Sequence, residues 1–255
     1  MSYPTLRLHP RKEESVLRFH TWIFSGAIAS FSAPVEDGDL VSVVDSKGRP
    51  LGTGHFGGGS IAVRLLSFDA EEVIDRTFYK RRLEAALRLR LSCDLVRPVG
   101  FSDSPNTTYR LVHGEGDSLP GLIIDIYDRT AVVQAHSLGM HQARHTIAEV
   151  LWEVFAEAGD PVLPLEGIYY KSETTLPTRD MRELASDGFL IGHTEAAPIY
   201  ENGVRFTPDW LKGQKTGFFI DQRDNRALVA HYAKGRTVLN AFCYTGGFSI
   251  YALHA

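Results

Sequence analysis

The first 70 residues alternate short apolar runs with glycine-rich turns, a pattern typical of an all-β unit. Residues 41–45 predict one strand, and 50–56 predict a second after the turn at 46–49. A third strand at 61–66 follows the three glycines 57–59. Several short strands joined by such turns indicate a small barrel.

The pattern changes after residue 70. Residues 75–91 and 140–158 carry apolar side chains at helical spacing. Strands are predicted within 109–127, on both sides of a Gly114–Gly121 loop, and at 130–135 and 167–171. Residues 71–198 therefore predict an α+β module in the order strand, strand, helix, strand, strand. Residues 97–106 contain two prolines and predict a surface loop.

A third region, 199–255, begins with a predicted hairpin at 199–206. A helix at 221–233 follows, with Asp221 as its N-cap. A buried strand is predicted at 237–244, and Thr245-Gly246-Gly247 then turns into a new helix. A strand, a tight turn and a helix open the cofactor site of doubly wound α/β domains. The glycine spacing is not that of a dinucleotide site, which disfavours a NAD-dependent enzyme.

Composition excludes several classes of protein. The 255 residues have a net charge of −4 and 44% hydrophobic content, as in ordinary globular proteins. No stretch is apolar enough to span a bilayer, so a cytoplasmic location is expected. Cys93 and Cys243 are too far apart in sequence to suggest a disulfide framework or a zinc site. His141 and His145 lie at helical spacing, but their surroundings predict a solvated helix face and no metal.

Two segments carry candidate binding chemistry. In residues 214–226, Lys215 and Arg223 could clamp a carboxylate or phosphate, and Phe218 or Phe219 could cover a flat ring. The alternative is a salt-bridged helix start with core phenylalanines. The glycines of 245–247 could bring backbone amides close to an anion, or could form a plain strand-to-helix turn.

A third candidate is a basic run in the helix at 75–91, where only Glu84 opposes the positive charges between its first and last members. This basic run could bind phosphate groups, or it could be the solvated face of the helix. Its members are Arg76, Lys80, Arg81, Arg82, Arg88 and Arg90.

Taken together, residues 215–223 and 239–248 resemble motifs of the S-adenosylmethionine-dependent RNA methyltransferases of the RlmI type. Members of that family make 5-methylcytosine in large-subunit ribosomal RNA. Residues 20–28 are similar to the opening of the family's N-terminal PUA domain, and residues 114–122 to a signature of its central domain. The resemblance extends over the whole chain and implies a PUA-like barrel at 1–70, a central α+β domain at 71–198, and the start of a Rossmann-like catalytic domain at 199–255.

The resemblance also implies roles for particular residues. The PUA-like region and the basic run from Arg76 would contact RNA. The implied S-adenosylmethionine-binding residues are Lys215, Thr216, Phe219, Asp221, Arg223, Asn240, Tyr244, Thr245, Gly246 and Gly247.

The sequence departs from the family pattern because three later elements are missing. These are a strand ending in the acidic residue that holds the cofactor ribose, an Asp-Pro-Pro motif and a nucleophilic cysteine. All three are expected to lie beyond Ala255, the last residue of the sequence. We therefore expect the chain to be an N-terminal portion that does not methylate RNA alone, with no catalytic residue of its own. Cys243 is expected to be a small core residue.

Two expectations concern partners. An unpaired sheet edge in residues 199–255 could support a homodimer. The alternative function is a non-enzymatic RNA-binding or assembly module, which would bind RNA but no cofactor.

Overall fold

The structure is a computed structural model that describes residues 3–96, 106–159, 162–177 and 186–255. Most of the predicted loop at 97–106 lies outside these ranges. Within them the strands are β1 (Thr5–Leu8), β2 (Trp22–Phe24), β3 (Ile28–Phe31), β4 (Leu40–Val44), β5 (Pro50–Phe56), β6 (Ile61–Ser67), β7 (Thr108–His113), β8 (Leu122–Tyr127), β9 (Thr130–Ala135), β10 (Gly167–Tyr170), β11 (Gly188–Gly192), β12 (Ile199–Glu201) and β13 (Val204–Phe206). The helices are α1 (Glu14–Leu17), α2 (Arg76–Ser92), α3 (Leu138–Gln142), α4 (Arg144–Ala158), α5 (Arg223–Ala233) and α6 (Gly247–Leu253).

Strands β1 to β6 form one mixed sheet in the order β2-β6-β5-β4-β1-β3 and surround a core of their own. The inward residues alternate along the strands, as in the pairs Leu6 and Leu8 and Val41 and Val43. At Gly54 a Cβ atom would lie 2.3 Å from the Arg64 carbonyl oxygen, so the close approach of β5 to β6 requires glycine. The predicted all-β unit is confirmed.

Strands β7 to β11 form the central sheet, in the order β11-β10-β9-β8-β7. Only the β9–β10 pair is parallel, and helices α3 and α4 connect these two strands. Helices α2 and α4 pack against each other, and their apolar side chains share one core with the sheet. Helix α2 begins where the Asp75 carboxylate accepts a hydrogen bond from the Phe78 amide (3.0 Å).

The two faces of the central sheet meet different parts of the chain. On β8, Ile124 and Ile126 face the α2/α4 core, whereas Tyr127 belongs to a second core. That second core also contains residues of the hairpin β12–β13, Trp210, Phe218 and Tyr251. The sheet is therefore covered on both faces, with the helices on one side and residues 199–255 on the other.

The predicted helix at 140–158 is interrupted. Helix α3 ends at Gln142, and α4 begins at Arg144 after a turn at Ala143. His141 is buried, and its Nδ1 lies 2.7 Å from the Tyr170 hydroxyl, so the predicted solvated face is wrong at this residue. The tertiary contact with β10 explains why helical periodicity alone misplaces it.

Residues 237–244 do not form the predicted buried strand. No strand of the described residues pairs with this segment, and Leu239 and Phe242 are almost fully exposed. A strand requires hydrogen bonds to a neighbouring strand, so an apolar run without one remains irregular. Cys243 is likewise exposed and is not the expected core residue.

The other predictions for this region hold with one change. The hairpin forms with Asn202 and Gly203 at positive φ, as a two-residue turn requires, and a helix does follow Gly246. Asp221 is not the N-cap of α5, because a 3₁₀ turn at Ile220–Gln222 precedes the helix and places Gln222 there. None of the described helices has the length and apolar composition needed to cross a bilayer.

His55 joins the barrel to the central unit and should make folding sensitive to acid. Its ring packs so closely on α3 that a Cβ at Gly139 would lie 2.2 Å away. Burial, with the nearby positive charge of Arg64, lowers the pKa of His55 to about 4. The unfolded chain binds this proton near pH 6.5, so the stability of the folded state falls as the pH drops from about 6.5 to about 4.

We predict that His55→Phe reduces this loss of stability, measured as the urea midpoint across that pH range. His9→Phe, at an exposed site, is the control and should keep the acid sensitivity of the unmodified chain. An unchanged pH profile in His55→Phe would contradict the assignment.

Candidate functional site

A buried polar network anchors residues 213–218 to the central sheet. The Thr216 hydroxyl donates to Oδ2 of Asp125 (2.6 Å) and lies 2.9 Å from the Tyr127 hydroxyl. The Phe218 amide donates to the same tyrosine oxygen (3.2 Å). Asp125 is fully buried, and the Arg110 guanidinium donates to both of its oxygens (2.7 and 2.9 Å). Because every oxygen of this carboxylate has a donor, its burial is compensated.

Two further hydrogen bonds fix the backbone just before Thr216. The Lys171 ammonium donates to the Gly213 carbonyl oxygen (2.6 Å), and the Gln134 amide donates to that of Lys215 (3.2 Å). Lys215 adopts a positive φ of 51°. At Gly217, where φ is 124°, a Cβ would lie 2.8 Å from the Trp210 backbone, so this close approach needs glycine. The segment is thereby held in an irregular conformation against the sheet.

A second buried cluster connects the hairpin with α5 and α6. The Arg226 guanidinium donates to both carboxylate oxygens of Glu201, each at 2.7 Å, and to the Phe219 carbonyl oxygen (2.9 Å). The Tyr251 hydroxyl donates to Glu201 at 3.1 Å. Burial and the Glu201 carboxylate raise the pKa of Tyr251, so its hydroxyl keeps the proton it donates. This cluster positions Gly247 and the start of α6 beside α5.

Between these anchored elements lies a cavity of about 790 Å³, within the range of small-molecule sites. Its lining residues come mainly from the segment 214–222 on one side and the segment 240–248 on the other. The Tyr244 ring meets the Phe219 ring edge to face, with centroids 5.3 Å apart, and the Tyr244 hydroxyl accepts from the Gln214 amide (2.9 Å). The Lys215 ammonium lies 4.6 Å from the centre of the Phe219 ring. The cavity therefore combines aromatic surfaces with charged and amide groups.

Most of the predicted cofactor residues line this cavity. They are Lys215, Phe219, Asp221, Asn240, Tyr244, Thr245 and Gly247. Three others do not line it. Thr216 is fully buried in the anchor, and Gly246 takes a positive φ of 78° as the N-cap of α6. Arg223 donates to the Thr108 carbonyl oxygen and lines a separate cavity of about 520 Å³.

The end of the sequence lies outside the cavity. Helix α6 ends at Leu253, and Ala255 is exposed and is not among the lining residues. The catalytic elements expected beyond Ala255 stay a prediction.

Other residues of the cavity were not among the predicted binding residues. Arg226 has the largest structural role, and it went unrecognised because its partner Glu201 lies 25 residues away. The sequence offers no local signal for that pairing. The remaining unpredicted lining residues are Gln214, Gln222, Ala241, Phe242, Cys243 and Phe248, whereas Phe218 lines the cavity as one of the two phenylalanines considered for covering a flat ring.

The predicted RNA-binding residues of α2 all have acidic partners. Those partners come mostly from other elements, which is why the run looks uncompensated in sequence. The pairs are Arg76 with Glu149 and Glu153, Lys80 with Glu157, Arg81 and Arg82 with Glu72, Arg88 with Glu84, and Arg90 with Asp117. Much of the positive charge of this helix is therefore neutralised within the molecule, and its contact with RNA stays a prediction.

Within the described ranges, no group of three or more His, Cys, Asp or Glu side chains is arranged to hold a metal ion.

Residues 177–255 match a protein family described as S-adenosylmethionine-dependent methyltransferase, and residues 6–68 match the PUA-like domain family. Proteins named ribosomal RNA large subunit methyltransferase I from Shewanella amazonensis and Shewanella denitrificans are 40% and 41% identical to the chain. Each alignment covers 98% of the chain. The chain is a homologue of S-adenosylmethionine-dependent methyltransferases. It spans 60% of the length of both relatives.

Solved structures agree on the fold. A protein from Streptococcus mutans, described as a SAM-dependent methyltransferase, superposes with a TM-score of 0.78 at 23% identity. A methyltransferase structure complexed with SAH gives a TM-score of 0.79, also at 23% identity. Each match covers 99% of the chain and 60% of the solved one. The predicted fold class, a PUA-like barrel, an α+β module and the start of a methyltransferase domain, is confirmed.

The Glu201–Arg226 pair should be essential to the geometry of the cavity. We predict that Arg226→Lys lowers the free energy of unfolding by about 2 kcal/mol, because lysine cannot donate to both carboxylate oxygens and to Phe219 at once. The exposed Arg236, changed to lysine, is the matched control and should leave stability within about 0.5 kcal/mol. Urea denaturation measures both. Equal stability of the two variants would mean that the buried pair contributes little.

Proposed function

We propose that this chain provides the S-adenosylmethionine site and RNA-contacting regions of a methyltransferase acting on large-subunit ribosomal RNA. The observation that carries the proposal is the cavity between residues 214–222 and 240–248, which contains most of the residues implied by the methyltransferase motifs. The relatives named ribosomal RNA large subunit methyltransferase I support the choice of substrate.

The chemistry of the cavity fits this cofactor. S-adenosylmethionine has a flat adenine ring at one end and an ammonium and a carboxylate at the other. The exposed Asp221 carboxylate suits the ammonium, and the Lys215 ammonium suits the carboxylate. The rings of Phe219 and Tyr244 offer flat apolar surfaces for adenine.

Bound cofactor would supply an electrophilic methyl group on a sulfonium. The residues of this chain would bind and orient the cofactor, and Tyr244 and Phe219 would shield it from water. Gly247 packs closely against α5, because a Cβ at this position would lie 3.2 Å from the Arg226 side chain. These roles are positioning roles and require no nucleophile from the chain.

The acceptor atom is proposed to be C5 of cytosine, on the basis of the family resemblance. That reaction uses a cysteine that adds to C6 of the base and makes C5 nucleophilic. We do not assign this role to Cys243, which lies on the exposed segment 237–244. We accordingly expect the residues up to Ala255 alone not to transfer methyl groups to ribosomal RNA, measured with radiolabelled cofactor. Any transfer of label would contradict this expectation, and loss of that transfer in Cys243→Ser would identify Cys243 as the nucleophile.

The cofactor site can be tested with two matched variants. We predict that Asp221→Asn weakens S-adenosylmethionine binding about tenfold, because it removes the charge opposite the ammonium. Asp224→Asn makes the same chemical change three residues away, on the wall of the other cavity, and should leave affinity unchanged. Isothermal titration calorimetry measures both.

Equal affinities of the two variants would exclude Asp221 from the site. RNA binding by the chain without any cofactor binding would instead support the alternative of a non-enzymatic RNA-binding module.

A further inference from the structure

A third cavity, of about 490 Å³, lies where the barrel, the central unit and residues 199–255 meet. We call it the three-way cleft. The barrel contributes Trp22 and Arg64, the central unit Glu115 and His136, and the third region Lys215. It is separate from the paired basic side chains on α2.

Arg64 is the unusual group in the three-way cleft. Its side chain is partly withdrawn from water, and desolvation lowers its pKa. Among the described residues no carboxylate comes within ion-pair distance of its guanidinium; Glu115 acts on it only at longer range. A desolvated cation without a direct partner is costly, and an anionic ligand would compensate it.

The two neighbouring cations, Arg110 and Lys215, have different partners. Arg110, which also lines the cleft, is held by both oxygens of Asp125. Lys215 has only the Phe219 ring as a partner among the described residues. Because Lys215 is proposed to bind the cofactor carboxylate, Arg64 is the cationic group of the described cleft that remains available to another anion, opposed by the carboxylate of Glu115.

Trp22 provides a flat surface at the rim of the cleft. Its indole Nε1 donates to the Glu115 carboxylate (2.7 Å), which fixes the ring between the barrel and the loop after β7. Half-exposed aromatic rings beside cationic side chains are the usual means by which proteins hold single-stranded nucleic acid, through stacking on bases and contact with phosphates.

Lys215 lines both the three-way cleft and the proposed cofactor cavity. A ligand lying in the cleft would therefore come close to the cofactor. The Gln134 side-chain amide donates to the Lys215 carbonyl oxygen (3.2 Å) and so holds the Lys215 backbone at this junction.

We propose that the three-way cleft binds single-stranded RNA, with Arg64 on a backbone phosphate and Trp22 against an adjacent base. Lys215, which lines both cavities, lies where the RNA strand would approach the methyl donor. The inference deepens the proposed function and rests on it for the identity of the nucleic acid.

Fluorescence anisotropy with a labelled single-stranded RNA oligonucleotide tests the cleft. We expect Arg64→Gln to weaken binding about tenfold and to reduce the salt dependence of log K by about 0.7, the value for one phosphate contact on a single strand. Arg205→Gln, an exposed change on β13, is the control and should have neither effect. Thermal melting of each variant checks that the fold is intact.

Arg76→Gln tests the rival surface on α2. If it weakens binding while Arg64→Gln does not, the interface lies on α2 and the inference is wrong. An affinity for duplex RNA above that for the single strand would also overturn it. As an independent measurement, 4-thiouridine RNA should crosslink to peptides containing Trp22 or residues 61–64; crosslinks confined to α2 would contradict the proposal.

The proposed function and this inference can fail separately. Arg64→Gln should leave the calorimetric affinity for S-adenosylmethionine unchanged, since Arg64 does not line the cofactor cavity. RNA binding that is insensitive to Arg64→Gln would refute the cleft alone. Absence of any RNA binding by the unmodified chain would refute the cleft and the proposed substrate, whereas cofactor affinity would still decide the methyl-donor site.

Discussion

The buried carboxylate of Asp125 is the constraint on which the third region depends. An uncompensated charge at a fully buried position would be strongly destabilising, so Asp125 requires donors on all sides. Arg110 supplies two of them from the neighbouring strand, and Thr216 supplies another from 91 residues further along the chain. Satisfying one charge thus fixes the segment that forms a wall of the proposed cofactor cavity. The proposed methyl-donor site is in this sense built on the central sheet.

The same sheet explains what could and could not be predicted from sequence. Period-two alternation identifies β8, β9 and their apolar face, because that face packs on helices of recognisable amphipathic pattern. The opposite face carries Asp125, Gln134 and Lys171, which a local analysis would assign to solvent. They are buried because residues 213–218 bond to them. Contacts across such sequence distances leave no periodic signal.

Two other differences between the predicted and the observed structure also have specific physical causes. The apolar run at 237–244 predicts a strand, but propensity cannot supply the neighbouring strand whose hydrogen bonds would stabilise it. The basic run of α2 looks free in sequence, yet acidic side chains pair with it, most of them from α4 and Glu72. Conversely, Arg64 is inconspicuous in sequence and lacks a direct acidic partner in the described structure. The charge available for binding is thus decided by tertiary pairing and cannot be read from local density.

The most direct test of this account is hydrogen–deuterium exchange on Thr216→Val, which keeps the shape of the side chain and removes its hydroxyl. If the Asp125 contact anchors the cofactor wall, amides of residues 213–222 will exchange faster than in the unmodified chain, while β8 and β9 remain protected. Unchanged exchange in 213–222 would show that apolar packing alone holds the segment and would contradict the central claim.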